Sequence, residues 1–192
     1  MNLDKEPKLG QGVSINVASN FKNIVLAGGC FWGTQKFVNR LPGIISSFTA
    51  YANGNMLDPT YDEVCTGNTD HAEAVYVVFD PEIIGLGHLL YYFLKSFNPT
   101  QKNYQGNDIG KQYRSGIYYF DKNDAAIAEK IISLAQKNHN KPIVTEVLPL
   151  DNLSKAEEDH QNYLDKNPFG YCYVILKHLP AEGDRLVGDI YE

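Results

Sequence analysis

Apolar residues arrive along this chain in short dense blocks divided by Gly, Asn and Pro, and the period within each block predicts its element. Residues 1–22 mix charge, Gly and Asn without sustained periodicity, and read as an arm that wraps the surface or frays. Ile24-Val25-Leu26-Ala27 is a strand that gives way to a helix from Cys30. Pro42-Gly43 turns the chain into a second strand over 44–51, which Asn53-Gly54-Asn55 breaks. After a short helical turn, Glu73-Ala74-Val75-Tyr76-Val77-Val78-Phe79 is the best strand, β-branched and aromatic, stopped by Asp80-Pro81 and apolar on both faces, hence central. Leu86, Leu89, Leu90, Phe93, Leu94 and Phe97 form one stripe at offsets of three and four, a helix that Asn98-Pro99 stops.

The loop 100–112 is long enough to suggest that it serves a site. Beyond it the pattern predicts a strand over 117–120, a helix over 124–138 with Ile127, Ile131 and Leu134 inward, and a strand over 143–148. Ser154-Lys155-Ala156-Glu157 fits a capping box and predicts a final helix ending before Pro168. No repeat of 20–50 residues runs through this order. It fits an α+β protein: a two-layer mixed β-sheet with helices mainly on one face, βαβ units in a ferredoxin-like core and extended terminal segments. A doubly wound parallel sheet is the second choice.

At 192 residues and 43% hydrophobic content the chain can bury one sizeable core. A single domain is expected, with an arm over 1–22, a catalytic core over 23–167 and a C-terminal segment over 168–192. The net charge of -6, without a Lys/Arg cluster, argues against nucleic acid or an anionic membrane as partner. No segment has the length of a membrane span and the start has no signal pattern, so the cytoplasm is the expected compartment; a monomer is the expected state. Cys30, Cys65 and Cys172 cannot all pair within one chain, and in a reducing compartment they read as free, catalytic or transiently paired thiols.

Cys30 is the strongest chemical candidate. It stands where a strand becomes a helix, and unpartnered N–H groups in a first helical turn favour a thiolate, so a lowered pKa is expected. Gly28 and Gly29 permit the turn, while Phe31 and Trp32 place an apolar wall beside the sulfur. Alternation puts Glu73 on the same face as Val75, Val77 and Phe79, where burial would raise its pKa and keep it protonated as a general acid. Tyr61 and Tyr113 could donate to a polar substrate oxygen near Glu73. His71-Ala72-Glu73 matches half of a zinc deaminase signature, but no Pro-Cys-x-x-Cys follows, and no spacing supports a metal site. His88 and His160 fall in helices and read as packed or solvated.

These residues belong to a longer series. Gly29-Cys30-Phe31-Trp32-Gly33 is followed in order by Tyr61-Asp62-Glu63-Val64-Cys65-Thr66-Gly67, His71-Ala72-Glu73, Gln105-Gly106-Asn107-Asp108 with Gly110, and Gln112-Tyr113-Arg114-Ser115. Glu158-Asp159-His160-Gln161 with Tyr163-Leu164 comes next, then Asn167-Pro168 with Gly170-Tyr171-Cys172. From about 23 to 173 the chain resembles peptide methionine sulfoxide reductases of the A type.

The resemblance implies that Cys30 attacks the sulfoxide sulfur, that Glu73 protonates the departing oxygen, and that Tyr61 and Tyr113 hydrogen-bond that oxygen. It implies further that Asp108 orders the site and that Phe31 and Trp32 hold the substrate S-methyl group. The substrate would be the S epimer of methionine sulfoxide, free or in peptides. A sulfenic acid left on Cys30 would be resolved by Cys172 as a disulfide, which thioredoxin would reduce; Cys65 would have no catalytic task, and no cofactor is implied.

Asp70, Phe97-Asn98 and Tyr104 stand where the family commonly has glycine, a His-Asp pair and arginine. A close Asp70 would push the Glu73 pKa further up. Two other readings compete: a peroxide reductase using Cys30 and Cys172, and a non-catalytic methionine-binding module.

Overall fold

The computed structural model describes residues 6–172, 174–175, 177–188 and 190. In chain order the elements are β1 (Lys8–Leu9), β2 (Lys22–Gly28), α1 (Phe31–Val38), β3 (Ile44–Ala52), α2 (Tyr61–Cys65), β4 (Ala72–Phe79) and α3 (Leu86–Lys95). A small hairpin follows, β5 (Tyr104–Gln105) and β6 (Asp108–Ile109). Then come a 3-10 turn (Lys111–Tyr113), β7 (Ser115–Tyr119), α4 (Lys122–Gln136), β8 (Glu146–Pro149), β9 (Asn152–Lys155), a second 3-10 turn (Glu158–His160) and α5 (Tyr163–Lys166).

Seven strands form one mixed sheet in the order β1-β9-β3-β4-β2-β7-β8. The apolar run predicted to be central lies in the middle, and every residue of β4 is buried. β4 runs antiparallel to both β2 and β3, whereas β7 and β8 are parallel, joined across α4. α1 links β2 to β3, and α3 lies on the path from β4 to β7.

The two faces of the sheet are covered differently. Ile24, Leu26, Val75, Val77, Phe79 and Ile117 face a core completed by α1, α3 and α4. Val25, Ala27, Ala74, Tyr76, Val78 and Tyr118 face the other way and are covered by Leu9, Val13, Ile15, Val17 and Phe21. The arm therefore does the work of a second layer on that face. It is pinned by Lys8 and Leu9, which pair in parallel with Asn152 and Leu153.

The apolar stripe of α3 is buried as its spacing predicts, at Leu86, Leu89, Leu90, Phe93 and Leu94. In α4 the inward face is rotated from the predicted one. Ala128, Ile131 and Ala135 are buried together with Asp124, while Ile127 flanks the core; small residues there let α4 approach α3 closely.

The final helix opened at Ser154 is not there. Ser154 lies in β9 opposite Tyr51 of β3, and regular helix is confined to the four residues of α5. The Ser-x-x-Glu pattern was outweighed by pairing with β3, which satisfies the backbone of 153–155 with ladder hydrogen bonds. A true capping box occurs at Thr60: its side chain accepts from the Glu63 N–H, and the Glu63 carboxylate accepts from the Thr60 N–H at 2.8 Å.

Candidate active site

The site forms where β2 hands over to α1. Gly29 adopts φ +92, a left-handed conformation open to glycine, and it swings Cys30 into the N-cap position of α1. The Cys30 carbonyl accepts from the Thr34 N–H at 3.2 Å and from the Thr34 hydroxyl at 3.2 Å. The next residue reaches into β4: the Phe31 N–H donates to Glu73 Oε2 at 3.1 Å. Glu73 is 1% exposed, and its other oxygen has no hydrogen-bond partner among the described residues.

Burial pushes the Glu73 carboxyl up to about 8; the Phe31 N–H works against this and the charge of Asp108 adds to it. Glu73 is therefore a buried acid that keeps its proton at neutral pH. Asp70 has no part in this. It is exposed and pairs with Lys111 at 3.0 Å, so the expected effect of its charge on Glu73 is absent.

Cys30 departs from the expected low pKa. Burial, then the charge of Glu73, pushes the thiol well above the usual cysteine range, while the N–H groups of Trp32 and Gly33 pull it down without prevailing. The helix N-terminus acts in the predicted direction, but removing the sulfur from water is the larger effect.

Two phenols flank this pair. Tyr61 is the first residue of α2, and Tyr113 closes the 3-10 turn that packs against β4. Burial and then Glu73 push both upward, so both remain O–H donors at neutral pH. Tyr113 also feels Asp108, Cys65 and Cys30, and Asp108 sits in β6 close enough for its charge to act on Cys30, Glu73 and Tyr113. The Tyr61 hydroxyl hydrogen-bonds the Cys65 thiol, which gives Cys65 a place at the rim.

Phe31 is buried and Trp32 half-buried, as an apolar wall requires, but the wall is larger than the sequence suggested. Trp32 stacks on Tyr163 at 3.9 Å between ring centroids. His160 lies 4.5 Å from Tyr61, 5.2 Å from Phe31 and 5.7 Å from Trp32. The Trp32 indole N–H donates to His160 Nδ1 at 3.1 Å. An indole only donates, so Nδ1 accepts and a neutral ring carries its proton on Nε2. Burial lowers the His160 pKa against the opposing charges of Glu157 and Asp159.

Tyr51, 0% exposed and directly opposite Glu73 in the pairing of β3 with β4, packs on Phe31 with centroids 5.9 Å apart. Its hydroxyl donates to Glu157. Tyr51, Glu157, His160 and Tyr163 are thus site residues that sequence reasoning missed. The shared block Glu158-Asp159-His160-Gln161 with Tyr163 was the signal that could have found two of them.

Cys172 comes to α1 at Gly33. It is exposed, and a Cβ at Gly33 would stand 3.1 Å from its sulfur and collide with Val174. The absent side chain of Gly33 thus brings the third thiol beside the first turn of the helix that Cys30 opens. Burial raises the Cys172 pKa and the Val174 N–H offsets it in part. Cys30, Cys65 and Cys172 are all thiols here.

The remaining departures are structural. Phe97 packs on Phe93 in the core with centroids 4.9 Å apart, Asn98 accepts from the Thr100 N–H and hydroxyl, and Tyr104, itself exposed, pairs with exposed Ile109 in the β5–β6 hairpin. Among the described residues no group of three or more His, Cys, Asp or Glu is arranged to hold a metal ion, and no helix is long and apolar enough to cross a membrane.

Known proteins resemble this chain over most of its length. The family model for peptide methionine sulfoxide reductase matches residues 22–184. A peptide methionine sulfoxide reductase MsrA of Clostridium botulinum (strain Okra) is 52% identical over 155 residues, covering 81% of this chain and 99% of that protein. The crystal structure of Mxr1 from Saccharomyces cerevisiae in reduced form superposes with a TM-score of 0.79 at 36% identity, covering 85% of this chain and 94% of that one. Mxr1 in complex with Trx2 superposes with a TM-score of 0.57 at 25% identity, covering 80% and 91%.

Proposed function

The chain belongs to the peptide methionine sulfoxide reductase family of oxidoreductases, and on that premise we propose that it reduces the S epimer of methionine sulfoxide through Cys30, Glu73 and Cys172. The observation that carries this reading is the Glu73 carboxyl, buried, protonated at neutral pH and with Oε1 free of hydrogen-bond partners among the described residues, one residue's N–H away from Cys30. Such a group is a proton donor waiting for an acceptor, and a sulfoxide oxygen is one.

In the proposed reaction the Cys30 sulfur attacks the sulfoxide sulfur as Glu73 protonates the oxygen, with Tyr61 and Tyr113 donating hydrogen bonds to it. One oxygen atom passes from methionine sulfur to Cys30 sulfur: the methionine is reduced by two electrons and the thiol becomes a sulfenic acid. Because Cys30 is a thiol at rest, its proton must leave as the S–S contact forms, and the oxygen gaining negative charge is where a proton is needed. The thiol proton restores Glu73, and the bond between the two sulfurs then breaks with its electron pair left on the methionine sulfur as the oxygen bonds to Cys30 sulfur, so the net step is thiol plus sulfoxide to sulfenic acid plus thioether. Phe31 and Trp32 enclose the methyl group, and Asp108 orders the polar side.

The Cys172 thiol then attacks Cys30, giving a disulfide and water. An external dithiol exchanges with that disulfide; the likeness to Mxr1 bound to Trx2 supports thioredoxin in this role. The strand order β3-β4-β2-β7, with helical crossovers from β2 to β3 and from β4 to β7, supports a ferredoxin-like core. We further place the enzyme in the cytoplasm as a single-domain monomer with its arm over 1–22, its core over 23–167 and its resolving segment over 168–192.

The test is single-turnover reduction of each separated epimer of a methionine sulfoxide peptide by pre-reduced protein, with mass mapping of the product. The expected result is methionine from the S epimer alone and a Cys30-Cys172 bridge. No methionine from either epimer overturns the reading and directs attention to peroxide as oxidant.

A further inference from the structure

Three elements of the fold, two of them about a hundred residues from the third, meet at one carboxylate. Glu157 follows directly on β9 and its neighbour Ala156, whose N–H donates to the Thr49 carbonyl of β3 at 3.0 Å. From there Glu157 Oε2 accepts from the Tyr51 hydroxyl at 2.6 Å, and Oε1 accepts from the backbone N–H of Tyr61 at 2.7 Å. Tyr51 belongs to the sheet, fully buried and in register with Glu73. Tyr61 belongs to the five-residue helix α2, whose first N–H has no partner of its own helix.

One side chain therefore ties the element that carries a candidate catalytic phenol to the rigid strand that flanks the candidate acid. We propose that Glu157 is a positioning residue, whose carboxylate, shared between Tyr51 and the Tyr61 N–H, fixes where the Tyr61 phenol stands over Cys30 and Glu73. The proposal rests on the role given to Tyr61 above.

The chemistry favours a carboxylate here. Two donors converge on its two oxygens, an arrangement an amide satisfies poorly because only one of its two heads accepts. Burial alone would raise the Glu157 pKa, yet the hydrogen bonds from Tyr51, from its own backbone N–H and from Tyr61, with the charge of His160, bring it below the usual range. Glu157 thus stays ionised at neutral pH. A helix of five residues has little stability of its own, so its orientation depends on such anchors.

The test compares single-turnover reduction of a methionine sulfoxide peptide, at saturating and limiting peptide, by wild type, Glu157→Gln, Tyr61→Phe and the double variant. Glu157→Gln should lower the saturating rate about tenfold while the half-saturating peptide concentration changes less than about twofold. In the Tyr61→Phe background the same change should have little further effect, since the group it places is gone. An equal fold-loss in both backgrounds, or a loss confined to half-saturation, overturns the proposal. A Tyr61→Phe enzyme that reduces at the wild-type rate is a different failure: it removes Tyr61 from the chemistry and the positioning role with it. Should Glu157→Gln fail to unfold cooperatively in urea, Tyr51→Phe, which removes one of the two donors, is compared in the same backgrounds and must show the same dependence on Tyr61.

Discussion

The backbone N–H of Phe31 donates to the Glu73 carboxyl at 3.1 Å, so the residue after the candidate nucleophile holds the candidate acid. One sequence step thus fixes the distance between the two functions. With Glu73 raised to about 8, the competent form is the acid, and the rate of sulfoxide reduction should fall as pH rises through that value. Glu73→Gln should lower the single-turnover rate by about 10²–10⁴ and remove the alkaline limb. A stopped reaction series from pH 6 to 10 reads both.

The same proton has a stability consequence. Between 4.5, the ordinary value, and about 8, the folded chain keeps a proton that the unfolded chain has released. The stabilisation is whole below 4.5 and is lost as pH rises toward 8, at about 1.4 kcal/mol per pH unit. Glu73→Gln should lack that slope. Urea unfolding at pH 5, 6, 7 and 8 should show the variant gaining on wild type with each step.

Gly33→Ala separates the two halves of the proposed cycle. A methyl group there meets Val174 and stands against the Cys172 sulfur, so the C-terminal segment must move off α1. Helix propensity favours alanine by about 1 kcal/mol, so the variant should fold. Disulfide closure should slow about tenfold or more, and by a larger factor than sulfoxide reduction, when rapid alkylation and mass analysis follow both steps. Cys172→Ser should abolish the bridge while the first turnover survives in excess dithiol.

Trp32 is the chain's single tryptophan and reports on its own hydrogen bond. Protonating His160 replaces the acceptor at Nδ1 with a donor and breaks that bond. Because the His160 pKa is lowered by burial, indole fluorescence should change at a pH below 6.5, and His160→Gln should remove the transition. The same variant should raise the half-saturating peptide concentration, since the wall loses a ring that touches Phe31, Trp32 and Tyr61.

Local pattern sufficed where local physics decides. The uninterrupted apolar run over 73–79 needs cover on both faces, and it occupies the middle of the sheet. The turn at Gly28-Gly29-Cys30 needs only a permissive backbone. What escaped depends on segments that meet in space: Tyr51 and Glu157 are joined through the pairing of β3 with β9, and β9 itself, Asn152-Leu153-Ser154-Lys155, has neither alternation nor β-branched residues. The Cys30 pKa failed for the same reason, since a helix terminus is visible in a sequence but the loss of water around a sulfur is not. The arm had a signal that composition obscured: Val13, Ile15 and Val17 alternate, as an extended segment lying on a sheet should.

The parallel seam of Lys8 and Leu9 with Asn152 and Leu153 also sets an order of events during synthesis. A ribosome adding 5–20 residues per second needs on the order of ten seconds to travel from one partner to the other. Through that interval the arm has no strand to join, and the far face of the sheet is open. The carboxylate at 157 follows the seam by only a few residues, so α2 gains its anchor at almost the same moment. A nascent chain therefore carries the Cys30 thiol for most of its elongation without the Glu157 anchor, the His160 ring or Cys172, and the reactive centre is completed only as the last part of the protein emerges.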